Sequence, residues 1–86
     1  MKLIRTERFV RAYRALQPDL RNKVNKALSL LAVDPGHPSL RLKKMRGKAA
    51  EWEARVDRSY RLTLEIHEDS FLLHTVGKHD ETLARP

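Results

Sequence analysis

Two alternating runs on either side of a three-residue turn constrain this chain more than any other feature. Trp52 to Val56 alternates apolar and charged residues, Asp57-Arg58-Ser59 has turn composition, and Tyr60 to His67 alternates again. That is the period of two half-buried strands joined as a hairpin. One face then carries Trp52, Ala54, Val56, Tyr60, Leu62, Leu64 and Ile66. The other carries Glu53, Arg55, Arg61, Thr63 and Glu65. With the turn centred on Arg58, Arg55 lies opposite Arg61 and Glu53 opposite Thr63. Like charges facing each other across strands are destabilising, so a pair of arginines in this position reads as a place where an anion, such as a phosphate, is expected.

The remaining chain bounds what such a hairpin can belong to. At 86 residues there is room for one core, and residues 1–86 are expected to form a single domain. Hydrophobic residues at 41% and charged residues at 34% give a globular composition with a heavily charged surface. Without cysteine, disulfides and thiolate chemistry are excluded. His67, His74 and His79 show no ligand spacing, so no metal or other cofactor is expected. No apolar run is long enough to span a bilayer, and Met1-Lys2-Leu3-Ile4-Arg5 lacks the apolar stretch of a signal peptide, which points to the cytoplasm and away from membranes.

Charge says more about the partner. Lys and Arg number 18 against 11 acidic residues, a net charge of +7. Residues 1–26 hold eight bases and two acids, 37–61 hold eight and three, and 62–86 hold two and five. An excess concentrated in this way suits a polyanion. The expected RNA contacts are Lys43, Lys44, Arg46, Lys48 and Lys78.

Along the chain, Leu3-Ile4 reads as a short strand, and Thr6 as an N-cap ahead of Glu7. Phe9, Tyr13 and Leu16 recur at helical spacing. Pro18 ends that helix and can open the next, where Leu20, Val24, Ala27, Leu28 and Leu31 make one stripe to about Ala32. Asp34-Pro35-Gly36-His37-Pro38 stops it. Leu40 and Leu42 then alternate with Arg41 and Lys43, Gly47 marks a loop, and the arginine hairpin follows. After a turn at Glu68-Asp69, Phe71 to Val76 is apolar on both faces, as in a central strand. This order predicts an α+β fold, an N-terminal strand and an α-helical hairpin packed on a small antiparallel sheet.

Leu42, Met45-Arg46-Gly47, Trp52-Glu53-Ala54-Arg55-Val56, Tyr60-Arg61-Leu62 and Val76-Gly77-Lys78-His79, in that order, resemble the RelE/ParE superfamily of bacterial toxins. The resemblance covers nearly the whole chain. It implies a RelE-like toxin of a toxin–antitoxin pair, silenced by a cognate antitoxin, with a heterotetramer among the expected assemblies. It also implies an mRNA interferase that acts on mRNA at the ribosome. Arg55 and Arg61 match the basic catalytic positions of RelE-like enzymes, and His79 matches a position held by Arg or His. Glu53 departs from the lysines of RelE itself, and the tail Asp80 to Pro86 offers only Leu83 where active members carry Tyr or Phe.

The chemistry can also be reached from the residues. A ribonuclease that uses no metal needs a base for the 2′-hydroxyl proton, an acid for the leaving 5′-oxygen and cations around the phosphorane. Arg55 and Arg61 supply cations of planar, multi-donor geometry. Glu53, two residues from Arg55 on the same face, is the candidate base, and His79 the candidate acid. The plainer reading pairs the arginines with Glu53 and Glu65 in a surface network. Likewise, His74 would be a structural hydrogen-bonding residue near Thr63. The alternative function is a ParE-like, gyrase-targeting or non-catalytic binding module. A bare RNA-binding domain is disfavoured by the scarcity of aromatics for stacking.

Overall fold

A computed structural model describes residues 1–47 and 50–86. Strand β1 (Lys2–Arg5) leads into helix α1 (Glu7–Arg14), and α2 (Pro18–Val33) follows. A 3-10 turn (Pro38–Leu40) precedes the two-residue strand β2 (Lys43–Lys44). Then come β3 (Trp52–Arg55), β4 (Tyr60–Ile66), β5 (Ser70–Lys78) and a six-residue helix α3 (His79–Ala84). The five strands form one sheet in the order β1-β5-β4-β3-β2. Its four C-terminal strands are antiparallel, as expected. The N-terminal strand pairs in parallel with β5, Lys2 beside Ser70 through Arg5 beside Leu73, so the sheet is mixed.

Local chemistry explains the helix boundaries. The Thr6 hydroxyl accepts the Phe9 amide at 3.1 Å and donates to the Leu73 carbonyl at 2.8 Å, capping α1 while fastening its start to β5. Pro18 at the first position of α2 gives up no needed amide bond. Tyr13 donates its hydroxyl to Asn25 Oδ1 at 2.7 Å, and Arg21 Nη1 donates to the Leu16 carbonyl at 3.0 Å, so the helix hairpin is cross-braced.

Val24, Ala27, Leu28 and Leu31 of α2 and Phe9 of α1 bury against Ala54, Leu62, Leu64, Phe71, Leu73 and Val76 of the sheet. Of these, Ala54, Leu62 and Leu64 fall on the face that alternation assigned to the apolar side. Trp52 is half-buried at the margin of this core. Tyr60, expected in the core by parity, is instead half-buried, lining an open groove with Ala15, Leu16 and Lys78.

One local expectation changes, and the tail adds an element. The alternation of Leu40 to Lys43 does not make a strand of that length. Leu40 ends the 3-10 turn, and Arg41 adopts the left-handed region at φ 44°, turning the chain before β2 begins. The C-terminal tail forms α3, whose apolar pattern is too short to stand out in the sequence.

The β3–β4 hairpin has the expected register, with Arg55 paired to Arg61 and Glu53 to Thr63. Its turn is held by Asp57, whose Oδ1 accepts the Ser59 amide at 2.9 Å and the Tyr60 amide at 2.8 Å. Burial favours the protonated form of Asp57. The two turn amides and the Lys23 ammonium, 3.3 Å away, outweigh it and hold the pKa below the ordinary 3.8. A carboxyl depressed in the folded state stabilises the fold above its unfolded-state pKa and loses that contribution as pH falls through the folded value. Asp57→Ala should therefore cost about 1 kcal/mol in denaturant unfolding at neutral pH. The gap between variant and parent should narrow below about pH 4. A gap that widened on acidification would contradict the assignment.

Candidate functional site at the arginine hairpin

The hairpin end gathers three of the four expected catalytic residues. Arg55 Nε and Arg61 Nη1 both donate to the carbonyl oxygen of Asp57, at 3.2 and 2.6 Å. Arg61 Nη1 also donates to the Tyr60 carbonyl at 3.0 Å. The two guanidinium groups thus converge on one acceptor, which offsets the repulsion their pairing creates. All of the recorded bonds of Arg61 use Nη1, so among the described residues its Nε and Nη2 are left to meet a ligand.

His79 joins the same end through its backbone. Its amide donates to the Ser59 carbonyl in the hairpin turn at 2.8 Å, so the first residue of α3 lies beside the turn that orients the arginines. Glu53 is set further in. It is 4% exposed, and its carboxylate stands 3.6 Å from Lys43 Nζ across the β2–β3 pair. One expected RNA contact, Lys43, is thereby engaged with the candidate base, although its own side chain remains 69% exposed. Lys44, Arg46 and Lys78 are exposed, and Lys48 lies outside the described residues.

The surface-network reading of the arginines does not match this geometry. Among the described residues, the ion pairs of Glu53 and Glu65 go to Lys43 and to His67 and His74. His74 does lie on the polar face of the sheet, but between Glu51 and Glu65, with a distance of 2.8 Å to each.

How the C-terminal segment is used has no signal in the residue pattern. Thr63, wholly buried and opposite Glu53, donates its hydroxyl to the Pro86 carbonyl at 2.7 Å. Gly77, paired to Arg61, turns its bare face to Glu81 and Thr82, where an added Cβ would stand 3.5 and 3.7 Å from their side chains. Arg8 of α1 donates to the Arg85 carbonyl. Helix α3 and the residues after it therefore lie across the polar face of β4 and β5, fastened on both sides. Between α1 and this segment runs an open groove of about 630 Å³, lined by Ala12, Leu16, Tyr60, Lys78 and Thr82 among others. Leu83, at the position where the resemblance leads one to look for an aromatic ring, is 44% exposed.

No protein-family model matches the chain, and no curated protein is significantly similar to it. Solved structures do match along nearly its full length. YafQ from E. coli strain BL21(DE3) superposes with a TM-score of 0.78 at 13% identity, over 94% of this chain and 96% of that one. A chain of the RelB-RelE antitoxin-toxin complex from Methanococcus jannaschii gives 0.75 at 15% identity, over 96% and 99%. The chain has the RelE-like toxin fold. A chain of the intact E. coli RelBE toxin-antitoxin complex adds a TM-score of 0.71 at 24% identity, over 90% and 94%. In this RelE-like fold the arginine hairpin forms β3 and β4, and the tail is the short α3.

The fastening of the tail can be tested by Thr63→Val, which keeps shape and removes the hydroxyl. Global stability should fall by no more than about 1.5 kcal/mol, while amide exchange in α3 quickens about tenfold. Unchanged protection of α3 would mean that Thr63 does not hold it.

Proposed function

We propose that this protein is the toxin of a toxin–antitoxin pair, acting in the cytoplasm as a metal-independent endoribonuclease on mRNA at the ribosome. The observation that carries the reading is the meeting of Arg55, Arg61 and the backbone of His79 at one end of the β3–β4 hairpin, on a chain of net charge +7.

The scissile phosphate would sit against the open edges of the two guanidinium groups, whose planar donors match phosphate oxygens. Glu53 takes the proton of the 2′-hydroxyl as its oxygen attacks phosphorus. The P–O5′ bond breaks, and His79 gives its proton to the departing oxygen. The products are a 2′,3′-cyclic phosphate and a 5′-hydroxyl. The arginines stabilise the charge that grows on the phosphorane between these events. Lys44, Arg46 and Lys78 add contacts along the RNA backbone, with Lys48 next to them in sequence. Their contribution should weaken as salt rises.

Glu53 is buried, and its neighbour Thr63 is capped by Pro86, so the base becomes available as the tail lifts. The antitoxin is expected to be an acidic or amphipathic segment laid over this basic surface, with a heterotetramer as one assembly to look for. The burial of Glu53 and the lone Leu83 in the tail favour one alternative, a non-catalytic or gyrase-targeting toxin that uses the same surface only to dock.

Mapping of cut messages during in vitro translation separates the two. Arg61→Ala should abolish both cleavage and growth inhibition while the fold is retained. His79→Ala should slow cleavage by about a hundredfold with little change in binding. Glu53→Gln should erase the acid limb of the pH–rate profile, and loss of His79 the alkaline limb. If messages stay intact on translating ribosomes with the parent protein, the nuclease reading fails and the docking alternative takes its place.

A further inference from the structure

At the other end of the polar face, about 13 Å along β4 from Arg61, two histidines close on one carboxylate. Glu65 Oε2 is 2.8 Å from His74 Nε2, and Glu65 Oε1 is 3.1 Å from His67 Nε2. The second ring nitrogen of His74, Nδ1, is 2.8 Å from Glu51 Oε2. Donor atoms of Glu51, Glu65 and His74 all lie within 4.8 Å of one another.

The backbone departs from regular pairing to make this arrangement. Thr63 pairs with Thr75 and the next residue, Leu64, with Leu73, so His74 is the unpaired residue of a bulge. Bulges re-aim side chains, and here the ring goes between carboxylates from the segment preceding β3 and from β4. On a chain with 18 Lys and Arg, the ion pairs of Glu51 and Glu65 among the described residues are with histidine alone.

A neutral imidazole carries one N–H. If that hydrogen goes to Glu51, the Nε2 lone pair of His74 faces a carboxylate oxygen that has no hydrogen to give. A cation between the two satisfies both. Carboxylate to Nδ1, with Nε2 left for a metal, is the arrangement that fixes the tautomer of a metal-binding histidine.

The geometry points to a divalent transition-metal site of the zinc class. His74 Nε2 and Glu65 are its principal ligands, the half-exposed His67 supplies a third by rotation of its side chain, and Glu51 positions the His74 ring. Two imidazoles and a carboxylate are a donor set that zinc accepts, and imidazole selects zinc over magnesium. The ion would tie β4 and β5 to the chain entering β3, bracing the sheet from the end remote from the arginines. It has no part in the cleavage chemistry proposed above.

Titration of the chelator-treated protein with zinc chloride, by calorimetry and thermal unfolding, tests the site. One equivalent should bind and raise the melting temperature, with no response to magnesium. His74→Gln and Glu65→Gln should each abolish the response, and Glu51→Gln should weaken zinc binding by about tenfold to a hundredfold. His37→Gln, at a histidine engaged with Ser39 and outside the cluster, should bind as the parent does. Absence of zinc binding by the parent protein would overturn the proposal. So would His74→Gln and Glu65→Gln variants that fold and bind zinc like the parent.

Discussion

The carbonyl and carboxylate of Asp57 hold the arrangement on which the rest of the polar face depends. The carboxylate closes the hairpin turn through two amides, and the carbonyl accepts from both Arg55 and Arg61. Register follows from the turn, and in a sheet a slip of one residue would exchange the two faces. With this register, Leu62 and Leu64 reach the helices, while Arg55, Arg61, Glu53 and Thr63 share the opposite side. The cost of two facing cations is offset within the turn itself. The same geometry leaves the outer edge of Arg61 oriented by backbone carbonyls, which are harder to move than side chains.

The polar face divides by charge along its length. Arginines and His79 occupy the end at the β3–β4 turn, Glu53 and Thr63 the middle, and Glu51, Glu65, His67 and His74 the far end. A bulge in β5 separates the last group from the regular ladder. Glu81, beside the Gly77 that pairs with Arg61, and Asp57 of the turn are the other carboxylates near the arginine end. The far end collects the groups best suited to a cation. One side of this small sheet therefore carries the arginine pair at one end and the histidine–carboxylate cluster at the other.

The C-terminal segment links α1 to this face. Helix α3 has six residues, too few to be stable by itself. It is held by tertiary contacts, namely the His79 amide to the Ser59 carbonyl, Arg8 to the Arg85 carbonyl, Thr63 to the Pro86 carbonyl and the burial of Thr82. A segment fixed by so few contacts belongs to the part of a structure that opens at least cost.

The amino-acid sequence by itself determined the elements with strong local signals. Thr6 and Pro18 mark helix starts, the stripe from Val24 to Leu31 marks the buried side of α2, and the alternation around Asp57-Arg58-Ser59 sets the hairpin and its arginine pair. Each of these rests on periodicity or capping within a few residues, which is information carried along the chain. Tertiary structure alone decided the rest. It made the sheet mixed by placing β1 beside β5, sixty-eight residues away in register, and it buried Glu53. It laid the tail over Thr63 and brought His79 to the turn through a bond to Ser59. The histidine cluster is the clearest case, because Glu51, Glu65 and His74 have no ligand spacing in sequence. They meet only because three neighbouring segments pair in this order and a bulge turns His74 toward them.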